Sequence, residues 1–106
     1  MDVKPIKIRG RLKNGEADVK CLMPHPMETG VRKDLDGNKI PAHYIETVTC
    51  KHNGKVFITA DWGASVSKDP YFGFVVRGAS DGDVIEVSWV DNLGNSSSGE
   101  LTLQGK

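Results

Sequence analysis

The 106 residues predict an all-β chain, an immunoglobulin-like sandwich of about seven antiparallel strands, on three observations. Apolar and polar residues alternate with period two along most of the chain, and no stretch carries a convincing helical period. Asn53-Gly54 lies between two alternating runs, and both residues tolerate the positive φ of a type I′ hairpin turn. Turn residues recur at the spacing expected of short strands facing one core.

The elements follow in order. Ile6 and Ile8 alternate with Lys7 and Arg9 in a first strand. Ala17, Val19, Cys21 and Met23 share one face of the next. Residues 44–52 and 56–61 form two strands joined by Asn53-Gly54. Phe72, Phe74 and Val76 make a further inward row. Ile85, Val87 and Trp89 follow across the turn residues Gly78-Ala79-Ser80-Asp81-Gly82, and Asn92-Leu93-Gly94-Asn95 turns the chain into Leu101 and Leu103. Two segments interrupt this spacing, residues 24–41 and 62–70. Connections longer than about 12 residues in a compact domain are usually functional or disordered, and Pro24, Pro26 and Pro41 limit the disorder of the first. That segment is the expected functional surface.

One domain spanning 1–106 accounts for the length, with room for a single hydrophobic core. Fourteen basic residues balance fourteen acidic ones, so no overall field favours nucleic acid or an anionic membrane, and neither is expected as a partner. No apolar run approaches the ~20 residues that span a bilayer, and Met1-Asp2-Val3-Lys4-Pro5 has no apolar signal-peptide core, so by itself the sequence reads as cytoplasmic.

Several residues invite chemistry. Cys21 and Cys50 lie within expected strands, on the faces of Val19 and Val48, where a thiol is a small buried apolar group or half of a Cys21–Cys50 disulfide. Neither has the exposed, mobile setting of a reactive thiolate. Met23, His25 and Met27 at alternate positions form a set that suits Cu(I), although methionines sharing a strand face are more often packing. His25 reads most simply as a loop residue whose imidazole bonds locally. Glu28-Thr29-Gly30 reads as a turn, and Asp34-Leu35-Asp36-Gly37-Asn38 as a polar turn, since the later bidentate Glu of a calcium loop is missing. Trp62, after Asp61 at a strand end, is core or an interface anchor, and Trp89 is core. No catalytic residue, cofactor site or metal site is assigned. The expected partner surface comprises Pro24, His25, Pro26, Met27, Glu28, Thr29, Gly30, Asp61 and Trp62.

His25-Pro26-Met27-Glu28-Thr29-Gly30, Arg32-Lys33-Asp34 and Ile40-Pro41 together resemble SoxZ, the smaller subunit of the SoxYZ sulfur carrier of thiosulfate-oxidising bacteria. The resemblance continues through Asn53-Gly54-Lys55, Asp61-Trp62-Gly63, residues 65–71 with Phe74, Gly82-Asp83, Trp89 and Asp91-Asn92. It implies the same sandwich fold and a non-enzymatic scaffold, with no cofactor, in a tight heterodimer with SoxY, whose C-terminal cysteine arm carries the sulfur intermediate. It also implies transient contact with the SoxAX cytochrome, the SoxB hydrolase and, in some organisms, SoxCD. The implied location is the periplasm, reached by export in complex with a SoxY that carries the signal. A partial similarity to superoxide reductase rests on His25-Pro26-Met27 and His43-Tyr44-Ile45. It would make the chain a metal-binding relative with iron at His25, His43 and His52, but the further histidine and the late Cys-Asn-x-His segment of that family are missing.

Overall fold

A computed structural model describes residues 3–104. Seven strands form: β1 (Lys7–Lys13), β2 (Glu16–Leu22), β3 (Ile45–His52), β4 (Lys55–Asp61), β5 (Tyr71–Arg77), β6 (Val84–Asp91) and β7 (Ser96–Thr102). They build two antiparallel sheets, β1-β2-β5 and β4-β3-β6-β7, in agreement with the all-β sandwich expected from the alternation.

The inward rows are those the sequence marks. Ala17, Val19 and Cys21 of β2 face Val48 and Cys50 of β3 and Ile85, Val87 and Trp89 of β6, all buried. Asn53 and Gly54 hold φ of 51° and 83°, the pair of left-handed conformations a type I′ turn demands. Asn14-Gly15 repeats this geometry at 53° and 76° and joins β1 to β2, so the first strand runs longer than Ile6 and Ile8 suggest. Gly10 and Gly99 let β1 and β7 approach where the sandwich closes: a Cβ on Gly10 would lie 2.6 Å from Leu101 Cδ2, and one on Gly99 would lie 3.1 Å from the Ile6 carbonyl.

β3 and β6 are antiparallel neighbours, so the head of one meets the tail of the other. His43, just before β3, therefore lies beside Asp91 at the tail of β6, while His52 at the tail of β3 lies beside Asp83 just before β6. The tails of β2 and β4 and the head of β5 also reach the His43 end, which brings both long connections there.

Candidate functional site

The connection 24–41 is an ordered excursion. Glu28 and His43 exchange two backbone bonds (Glu28 N to His43 O 2.6 Å, His43 N to Glu28 O 3.0 Å), and further out Ile40 N donates to Arg32 O at 2.8 Å. Asp34 closes the tip, its Oδ1 accepting from Asp36 N and Asn38 N, so 34–38 is the polar turn expected. Arg32 grips Glu28 through two hydrogen bonds, at 3.1 and 2.5 Å. Gly30, at φ 90°, passes so close to Ala42 that a Cβ would lie 3.1 Å from the Ala42 Cβ. The excursion carries Val31 and Leu35 outward, 76% and 106% exposed, which is where an apolar contact surface begins.

Its base is locked by a buried node. His25 Nε2 lies 3.0 Å and His43 Nε2 2.6 Å from the same oxygen, Asp91 Oδ2. Asp91 Oδ1 accepts from Leu93 N and Asn95 N, and the Asn95 amide bonds the carboxylate as well. Asn92 straps the neighbouring chain, accepting from Tyr44 N at 2.8 Å and donating to Ala42 O at 2.9 Å. His25 also joins the two long connections to each other: its N–H donates to Asp69 Oδ1 and its carbonyl accepts from Asp69 N, both at 2.9 Å. Met27 and Asp69 are both held at positive φ, 48° and 51°, a conformation that aspartate tolerates but that a side chain as bulky as Met27 adopts only when the surroundings impose it.

Asp91 is buried, which raises its carboxyl, but the bonds from His25, Asn95 and His43 outweigh burial and hold it far below the usual carboxylate range. Burial keeps His25 below its ordinary value, against the pull of the Asp91 hydrogen bond. The node is thus a carboxylate shared by two histidines, with His25 neutral at pH 7.

The hydrogen bonds decide the His25 tautomer. Met27 N donates to His25 Nδ1 at 3.1 Å, so the ring proton sits on Nε2 and points at Asp91. An imidazole bound to a metal through Nε2 keeps its proton on Nδ1, where it would face the Met27 N–H. His25, His43 and Asp91 do place ligand-type atoms within 4.8 Å of one another, yet the arrangement around His25 is that of a proton-held node. The iron alternative fails on a second count, since His52 lies at the opposite end on Asp83, 2.7 Å away. In the Met23-His25-Met27 set both His25 nitrogens are engaged, and Met27 Sδ accepts from Ile45 N at 3.4 Å, so the three do not form an open soft-metal site.

Of the nine residues expected at a partner surface, His25 and Met27 are buried and act from beneath. Pro24, Pro26, Glu28 and Gly30 are half-buried, and Thr29 and Asp61 are exposed. Trp62 is half-buried against Phe72, ring centroids 5.7 Å apart, and its backbone N–H donates to Glu46 O. All nine lie at the node end. The His25 imidazole bonds locally to Met27, as expected, but also reaches Asp91, 66 residues away. Asp91 enters the sequence reading only within the resemblance, and Asn92, Asn95 and Asp69 only within the resemblance or longer runs, with no site role. The readable signal for the first was an acid continuing the inward row Ile85, Val87, Trp89.

Cys21 and Cys50 are free and buried. Burial pushes the Cys21 thiol up to about 11 despite its bond to the Phe72 carbonyl, and pushes Cys50, with Cys21 nearby, up to about 12. Neither is a thiolate at neutral pH, so neither is equipped as a sulfur nucleophile.

A family model described as sulphur oxidation protein SoxZ matches residues 6–102, nearly the whole chain. No curated protein matches the chain.

Proposed function

The chain belongs to the SoxZ family, and from that premise we propose that it is the non-catalytic subunit of a sulfur carrier, paired with SoxY as a stable heterodimer. SoxY's terminal cysteine arm carries the covalent sulfur intermediate through thiosulfate oxidation, and this chain is the rigid base that holds and presents it. The work is done in the periplasm, with the chain exported bound to SoxY. SoxAX, SoxB and SoxCD are the enzymes visited.

The observation that carries this reading is the excursion at residues 28–43. A node centred on the buried His25 and Asp91 fixes its base, and Val31 and Leu35 stand exposed on it. Such a preorganised ribbon loses little freedom when a partner covers it. The chain's own thiols are buried and protonated, which fits a division of labour in which the reactive cysteine belongs to the partner.

The test is co-expression with the SoxY of the same organism, followed by size-exclusion chromatography and mass analysis. A one-to-one complex is expected. Elution of the chain alone would defeat the proposal.

A further inference from the structure

The zero net charge conceals a segregation. Lys7, Arg9, Arg11 and Lys13 of β1 alternate with the inward Ile8, Gly10 and Leu12, and so line the outer face of the three-stranded sheet with Lys20 of β2 and Arg77 of β5. Against these six cations the face carries two anions, Glu16 and Asp18. The whole chain has fourteen of each sign, so the remainder holds eight cations and twelve anions.

The register concentrates this charge. Arg9 stands directly opposite Lys20, and like charges at such a cross-strand position are destabilising. Among the described residues Lys7, Arg9, Arg11, Lys13 and Lys20 form no ion pair within 4.0 Å, and the face's one bridge is the loose Arg77–Glu16 contact at 3.8 Å. Arg9, Gly10, Arg11, Asp18, Lys20 and Tyr71 line an open depression of about 460 Å³. Tyr71 within it is 67% exposed, and Val75, beside Arg11 and Asp18 in the adjoining depression, is 55% exposed. Exposed tyrosine and arginine around a concavity are the composition of interface hot spots. Lys7, Arg9, Lys20 and Tyr71 lie toward the node end, because Lys7 pairs with Leu22 and Leu22 with Tyr71.

We propose that this face is a transient docking surface for an acidic patch on a protein that the carrier visits. The inference rests on the carrier reading above and adds to it a second surface, distinct from the excursion. Three strands of seven residues span roughly 23 Å by 14 Å, which suits a small, short-lived interface. Asp18 and Glu16 among the cations, with apolar Val75 beside them, match the interleaved charges of a protein surface better than a run of phosphates. Such a face raises the encounter rate with its partner and leaves the dissociation rate high, as a carrier that must move on requires.

The test uses the SoxY complex of this chain with Arg9→Glu and Lys20→Glu, and a milder pair, Arg9→Gln and Lys20→Gln, in case the first does not fold. Thiosulfate oxidation is reconstituted with the purified enzymes of the same system at limiting carrier. Expected are an intact heterodimer, a rate reduced about tenfold or more at low ionic strength, and loss of most of the native complex's salt dependence. An unchanged rate and salt dependence would overturn the proposal. So would loss of SoxY from a folded variant, which would make the face part of the stable interface, or tighter binding of a 20-base-pair DNA duplex than of any enzyme in the system. If the native chain itself fails to pair with SoxY, the carrier reading falls first, and that failure is visible before any variant is made.

Discussion

Each end of this sandwich is tied by histidine on aspartate, and the two ties differ in what surrounds them. At one end His52 meets Asp83 in a half-exposed pair beside a surface turn, 2.7 Å apart. At the other, His25 and His43 converge on one oxygen of Asp91, whose side chain is inaccessible to solvent. The partly accessible pair keeps some access to water, so losing a partner is compensated in part. The buried carboxylate has no water to fall back on, and each of its donors becomes obligatory. The same chemistry is therefore a surface contact at one end and a structural clamp at the other, and the clamp is the one that holds an exposed ribbon.

Breaking the clamp should have the largest effect. Asp91→Ala leaves the buried His25 Nε2–H, the part-buried His43 ring nitrogen and the Leu93 and Asn95 amides without their acceptor, and should cost about 3–5 kcal/mol in urea unfolding. His25→Ala opens a cavity and frees the Met27 N–H, and should cost about 2–4 kcal/mol, with raised hydrogen exchange across 25–43. His52→Ala at the other end should change stability least of the three and leave exchange in that segment unaltered.

Acid should sharpen the same contrast. His25 titrates lower in the folded chain than the ~6.5 of an unfolded histidine, so between those values the unfolded state takes up the proton. Its stabilising contribution is complete above about pH 6.5 and falls as the pH drops below it. Asp91 and Asp83, both lowered, hold their contributions above the ~3.9 of an unfolded aspartate and lose them as the pH falls through the folded values. Asp83, drawn down to about 2 by His52, Asn53 and the Ser80 amide, gives up its share between the ~3.9 of an unfolded aspartate and that value. Unfolding followed from pH 7.5 to 4.5 should therefore show a slope that His25→Gln flattens.

The smallest expected effect concerns Trp89. Its indole Nε1 is buried without a hydrogen-bond partner among the described residues, and its ring meets His25 edge-on at 5.0 Å. Trp89→Phe removes a polar group that gains nothing from folding, so stability should stay within about 1 kcal/mol of the parent. A loss comparable to His25→Ala would mean that the indole supports the clamp directly.

The sheets were legible because alternation and the Asn53-Gly54 turn report backbone geometry residue by residue. Asn14-Gly15 carries the same information and marks the end of β1 at Lys13. The end that carries the clamp is legible as an interruption of that regularity, in residues 24–41 and 62–70. The clamp was not, because the pairing of His25 with Asp91 is made by strand register across 66 residues, and alternation fixes which face a residue takes without fixing its neighbour across the sheet. Charge balance hid the basic face for a related reason: a sum over the chain is blind to which strand faces carry each sign.

The account stands or falls on the clamped end being the one that meets SoxY. Hydrogen–deuterium exchange of the chain, alone and after complex formation with SoxY, reads this directly. Protection gained across 28–43, with 52–57 and 78–84 unchanged, is the predicted result. Protection confined to the His52 end, with Val31 and Leu35 as exchangeable in the complex as out of it, would contradict the account.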